Sequence, residues 1–97
     1  MIRFQRCAMP RIGKQAQAIT WAKVFAEFVT ENYGVAVQIF VESTGKIHWI
    51  SDYPNYEAYG KVRMRIVTDR DYWGTIGRSA DLFIEGSMDD VVLQLVD

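Results

Sequence analysis

One cysteine, one histidine and two prolines are all that 97 residues carry of the types that most often build disulfides, metal centres and rigid turns. A lone Cys7 excludes an intramolecular disulfide and gives no argument for an oxidising compartment. With no histidine beside it in sequence, Cys7 reads as a buried, inert thiol. A single His48 falls short of the clustered His, Cys, Asp and Glu donors that zinc needs, and only Glu42 and Asp52 lie near it in the chain. No protein-ligated metal is expected, and haem held by His48 alone is the one such cofactor the residues leave open. Charge of one sign is also missing: twelve acids stand against eleven bases. Without a basic surplus the chain is not expected to bind nucleic acid. Lys61, Arg63, Arg65 and Arg70 read as a solvated helix face diluted by Glu57, Asp69 and Asp71.

Long apolar runs are absent as well. Nothing approaches the ~20 residues needed to span a bilayer, so no membrane partner is expected. The opening Met-Ile-Arg-Phe-Gln-Arg has no apolar core of a signal peptide, and a soluble cytoplasmic protein is the expectation. Gly74-x-x-Gly77 has neither a strand before it nor Lys-Ser/Thr after it, so it is no phosphate loop. No serine or threonine sits in a nucleophile elbow. Asp89-Asp90 reads as a solvated turn before the last strand.

What is present is a dense apolar and aromatic complement, 49% and 13% of the chain. A chain of this size folds as one domain, residues 1–97, and buries only about 60–65% of its unfolded surface. Part of this apolar surface is therefore expected to be covered by a second subunit, making a homodimer.

The periodicities give the order of elements. Residues 1–8 alternate, with Ile2, Phe4 and Arg6 on one face and Arg3, Gln5 and Cys7 on the other. From about residue 16 to 33 the period becomes helical: Ala18, Ala22, Phe25 and Val29 form a core stripe widened by Trp21, Val24 and Phe28, and Gly34 sits at the C-cap. A β-branched strand follows over residues 35–41, then the turn Ser43-Thr44-Gly45 and a returning strand over 46–53, a hairpin. Ser51 or Asp52 is the expected cap of a helix begun by Pro54, with Tyr59, Val62 and Ile66 inward. Asp71 is the expected cap of a further short helix to about residue 81, with Ile76 and Ala80 inward, and residues 91–96 form the last strand. The result is an α+β, ferredoxin-like order β-α-β-β-α(α)-β: one four-stranded antiparallel sheet with the helices on one face. The other face, to which we assign Gln5, Gln38, Phe40, His48, Ile50 and Gln94, is left uncovered.

The early Trp21-Ala22-Lys23 helix, the run Ile47-His48-Trp49-Ile50-Ser51-Asp52-Tyr53, the Tyr-rich helix after it, Asp69-x-x-Tyr72-Trp73 and Asp81-Leu82-Phe83-Ile84-Glu85-Gly86-Ser87 together resemble small bacterial proteins of the NIPSNAP type. These belong to the dimeric α/β-barrel superfamily, alongside the antibiotic-biosynthesis-type monooxygenases. The resemblance covers nearly the whole chain and rests on scaffold motifs. It implies a homodimer whose sheets form a closed or half-closed barrel, with a ligand cavity inside it or between sheet and helices. Oxygenases of this superfamily use an Asn, a Trp and often a His; here only Asn32 and Asn55 are available, neither on the first strand.

His48 is the catalytic candidate, because imidazole titrates near neutral pH. Beside Gln5, Gln38 and Gln94, with Phe40 and Ile50 for apolar contact, it can frame a pocket for a small apolar or aromatic ligand. The same residue can equally be an interface histidine paired with an amide or carboxylate. Tyr53, Tyr56, Tyr59, Tyr72 and Trp73 read chiefly as core and interface packing. Three functions stay open: a dimeric ligand-binding or structural protein without turnover; a cofactor-independent monooxygenase or isomerase of a small aromatic substrate, with His48 as acid/base and Trp49 or Trp73 lining the site; and haem handling through His48.

Overall fold

A computed structural model describes all 97 residues. The elements run β1 (Ile2–Ala8), α1 (Gln15–Tyr33), β2 (Gln38–Val41), β3 (Ile47–Tyr53), α2 (Tyr56–Val67), α3 (Arg70–Gly77) and β4 (Asp89–Gln94). Helix α1 forms because its apolar residues repeat at helical spacing, and it stops at Gly34, which takes φ 70° and donates its N–H to Thr30 O. The two later helices are capped a few residues away from where the sequence points. Asn55 Oδ1 accepts from Ala58 N at 2.9 Å to start α2, and Asp69 Oδ1 accepts from Asp71 N at 2.9 Å to start α3. Ser51 and Asp52 are instead the continuation of β3. They pair with Phe4 and Arg3 of β1, and that ladder outcompetes a cap. Helix α3 ends at Gly77, so Ala80, expected inward, lies exposed beyond it.

The strands form one antiparallel sheet in the order β2-β3-β1-β4, with every neighbouring pair antiparallel. This is the ferredoxin-like arrangement, in which β1 and β3 are central and β2 and β4 are edges. The register places Ile2, Phe4, Arg6 and Ala8 on the helix side with Ile47, Trp49, Ser51 and Tyr53 of β3. All three helices lie on that side. Their inward residues Ala18, Ala22, Phe25, Val29 and Ile66 join Ile2, Ile47, Trp49, Tyr72 and Phe83 in the core. Each of the larger apolar side chains among them, such as Ile2, Phe25, Val29 and Ile47, stabilises the fold by about 1.5–3 kcal/mol relative to exposure. The aromatics fill the middle: Trp21 stacks on Phe25 at 5.1 Å, and Trp49 meets Phe25 and Phe83 edge-on at 6.4 and 5.9 Å.

The final strand begins two residues earlier than its apolar pattern announces. Asp89 and Asp90 are strand residues, not a solvated turn, because Asp90 pairs opposite Arg6 on the helix side of the sheet. Arg6 is 5% exposed, and its guanidinium is held by Asp90 at 2.8 and 2.9 Å and by the Tyr72 hydroxyl at 2.8 Å. A buried cation needs such partners, and they set the phase of β4. That phase turns Gln94 to the helix side, opposite Ile2.

Candidate functional site

No helix covers the second face of the sheet, and the register assembles it row by row. Phe40, His48, Cys7 and Asp89 stand abreast across the four strands, and beside them run Gln38, Ile50, Gln5 and Val91. A third, shorter row holds Asp52, Arg3 and Leu93. Of the residues assigned to this face from sequence, Gln5, Gln38, Phe40, His48 and Ile50 are thus brought together. Gln94 is not, for the reason given above. Trp49 lies in the core, where its indole N–H donates to Ala22 O at 3.4 Å. Trp73 sits on the far side of the helices, donating to Val67 O at 3.2 Å. Neither tryptophan reaches His48 or its neighbours.

The imidazole is oriented. Nε2 of His48 lies 2.7 Å from Glu42 Oε1. Thr44 Oγ1 donates to the other oxygen of Glu42 at 2.9 Å. These bonds, His48 first and Thr44 second, hold the Glu42 carboxyl below the usual carboxylate range, so it is the acceptor and Nε2 carries the proton. Glu42 was missed as a partner, although the Ser43-Thr44-Gly45 turn contains the signal. A short turn that pairs Val41 with Ile47 sets Glu42 on the diagonal from His48. With Nε2 bound to a carboxylate, only Nδ1 of His48 is left to meet a ligand. No group of three or more His, Cys, Asp or Glu side chains is placed to hold a metal ion.

Cys7 corrects its sequence reading twice over. It is half-buried on the open face, and its cross-strand neighbour is His48, a residue 41 positions away that no local pattern reveals. At the rim, Arg3 and Asp52 form a two-point ion pair at 2.8 and 3.0 Å. That bond first, opposed by slight desolvation, keeps Asp52 ionised below its ordinary range.

The shape of the face bears on what it can hold. Gln38 and Ile50 line a shallow depression of about 230 Å³ with Ala36 and Asp52. Between sheet and helices, by contrast, the void beside Phe4, Tyr59 and Ile66 measures about 30 Å³, room for a water or two and no aromatic ring. In a single chain His48 borders solvent with 24% of its side chain exposed. Phe40 beside it is 53% exposed, and farther across the same face Val91 is 43% and Leu93 44% exposed. No helix of the chain is long and apolar enough to cross a membrane.

No protein-family model and no curated protein matches the sequence. Solved structures do match the fold. A NIPSNAP domain protein from Burkholderia xenovorans superposes with TM-score 0.78 over 99% of this chain and 95% of its own, at 13% identity. A NIPSNAP family protein from Agrobacterium tumefaciens gives 0.76 over 99% and 93%, at 17% identity. An antibiotic biosynthesis monooxygenase gives 0.73 over 100% of both chains, at 12% identity. At such identities the likeness is one of architecture: this chain has the ferredoxin-like α+β fold of the solved NIPSNAP and antibiotic biosynthesis monooxygenase structures.

Proposed function

We propose that the protein is a NIPSNAP-like homodimer in which two open sheet faces pack together and enclose a chamber for a small apolar or aromatic ligand. One observation carries this reading: a whole sheet face without cover, holding Phe40, Ile50, Val91 and Leu93 around the polar set Gln5, Gln38 and His48. Several large exposed apolar side chains on one face of a small chain, interleaved with polar ones, mark an interface. A face made wholly of apolar residues would pack dry. The two amides and the imidazole instead leave hydrogen-bonding groups that need partners once water is excluded, and a ligand with a polar edge supplies them. The experiment is a pair of measurements on the intact chain: solution mass, and binding of small aromatic probes such as phenol and naphthol followed by nitrogen-edge chemical shifts of Gln5 and Gln38. Probe-dependent shifts at both amides in a dimer support the reading. A monomer, or a dimer blind to every probe, removes it.

The contact between His48 and Glu42 favours a second reading, a cofactor-independent monooxygenase or isomerase of a small aromatic substrate. A carboxylate that fixes one imidazole nitrogen leaves the other to take a proton from an acidic substrate O–H or C–H. The resulting anion either regains its proton at another carbon or gives electrons to dioxygen. Deuterium exchange into hydroxylated aromatics, together with oxygen uptake, tests this step. Turnover that His48→Gln abolishes supports it, and the absence of both signals across the panel leaves the binding reading alone.

A further inference from the structure

A second concavity lies at the end of the sheet where β1 exits, and none of its lining residues belongs to the open face. Its volume is about 540 Å³, within the ~300–1,000 Å³ range of small-molecule sites. The wall is the connection from α3 to β4, closed by Arg11 from the loop after β1. This connection has little regular structure, yet it is tied down along its length. Arg11 N donates to Leu82 O at 2.9 Å, Ile84 N to Met9 O at 2.9 Å, and Met9 N to Ser87 Oγ at 3.1 Å. Pro10 and Phe83 add an isolated bridge. The concavity is therefore preformed, and a ligand does not have to order it.

Its lining includes an apolar floor at the buried Phe83, with Ile76 and the exposed Met88 beside it. Phe83 is 6% exposed and packs edge-on against Trp21 at 5.7 Å and Trp49 at 5.9 Å. The charged groups around the floor are Arg11, Asp81 and Glu85. The chain's ion pairs join Arg3 to Asp52, Arg6 to Asp90, His48 to Glu42 and Lys61 to Glu57. Arg11, Asp81 and Glu85 enter none of them, so one cation and two carboxylates border an apolar floor without internal partners.

We propose that this concavity binds a small zwitterion with an apolar body, of the class of free apolar α-amino acids. A simple carboxylate satisfies Arg11 but meets two uncompensated acids. A simple amine satisfies the acids but meets the guanidinium. A molecule with ammonium and carboxylate on one skeleton answers both, while its side chain covers the floor. Exposed rim charges contribute selectivity more than strength, and the expected dissociation constant is on the order of 0.1–1 mM.

The test titrates the intact protein with phenylalanine, 3-phenylpropanoate and 2-phenylethylamine. Calorimetry gives affinity, tryptophan emission reports through the contact of Phe83 with Trp21 and Trp49, and amide chemical shifts locate the ligand. Phenylalanine is expected to saturate, with each single-charge analogue at least ~10-fold weaker. Arg11→Gln is expected to weaken phenylalanine about fivefold without weakening 2-phenylethylamine, and Asp81→Asn with Glu85→Gln to weaken it without weakening 3-phenylpropanoate. No saturation by ~10 mM, equal affinity for the three probes, or indifference to Arg11→Gln overturns the proposal. So do shifts at Gln5, Gln38 and His48 in place of residues 76–88; that outcome assigns the ligand to the open face and leaves the chamber reading standing.

Discussion

Arg6 and Asp90 face each other across β1 and β4 and close a two-point ion pair, Nε to Oδ1 at 2.8 Å and Nη2 to Oδ2 at 2.9 Å. Burial works against the Arg6 charge, and the bonds to Asp90 and Tyr72 more than offset it, so the guanidinium stays charged. Asp90→Asn keeps the size of the side chain and leaves that cation short of its counter-charge. The expected loss is about 2 kcal/mol, below the 3–5 typical of a fully buried pair because Asp90 is partly exposed. Urea unfolding measures it. Asp89→Asn, one residue away on the other face, is the control and loses nothing comparable; equal losses for the two substitutions contradict the account.

Acid is expected to weaken the fold through three carboxyls. Hydrogen bonds from His48 to Glu42, from Arg3 to Asp52 and from Tyr33 to Asp69 each hold the acid below its ordinary value. A depressed carboxyl contributes stability that is present above its unfolded value, about 4, and lost as pH falls through its folded value. The urea midpoint is therefore expected to hold steady from about pH 7 to 5 and to fall steadily below about pH 4. Asp69→Asn flattens part of that fall. A midpoint that does not change down to about pH 2.5 contradicts it.

Leu93→Asp probes the open face. Leu93 stands 44% exposed on an edge strand of the single chain, so a charge there costs the isolated fold little. In a face-to-face dimer it meets apolar surface and is expected to halve the solution mass while circular dichroism is unchanged. A variant that stays dimeric shows that the interface lies elsewhere.

Cys7 offers an independent report on the same face. A dimer that encloses it shields the thiol from a bulky maleimide, and Leu93→Asp is expected to label about 10-fold faster than the parent chain. Equal rates at matched concentration contradict enclosure.

How much of this was legible in the chain follows from the range of the interactions involved. The stripe Ala18, Ala22, Phe25, Val29, the cap at Gly34 and the alternation of β1 are local patterns, and all three appear in the structure where the sequence places them. The cap of α2 was displaced because a helix competes with strand pairing: Ser51 and Asp52 are claimed by β1, and Asn55 caps the helix instead. The phase of β4 was misread because an aspartate on the helix side breaks the apolar pattern, and only the buried Arg6 explains it. Gln94 went to the wrong face for that reason alone. Cys7 and His48 became neighbours through a register between strands 41 residues apart, which no window along the chain can display.

The most direct test of the central claim is the mass of the intact protein by sedimentation equilibrium at micromolar concentration. The account predicts a particle of two 11.2 kDa chains, converted to single chains by Leu93→Asp. A parent protein that sediments as one chain contradicts it.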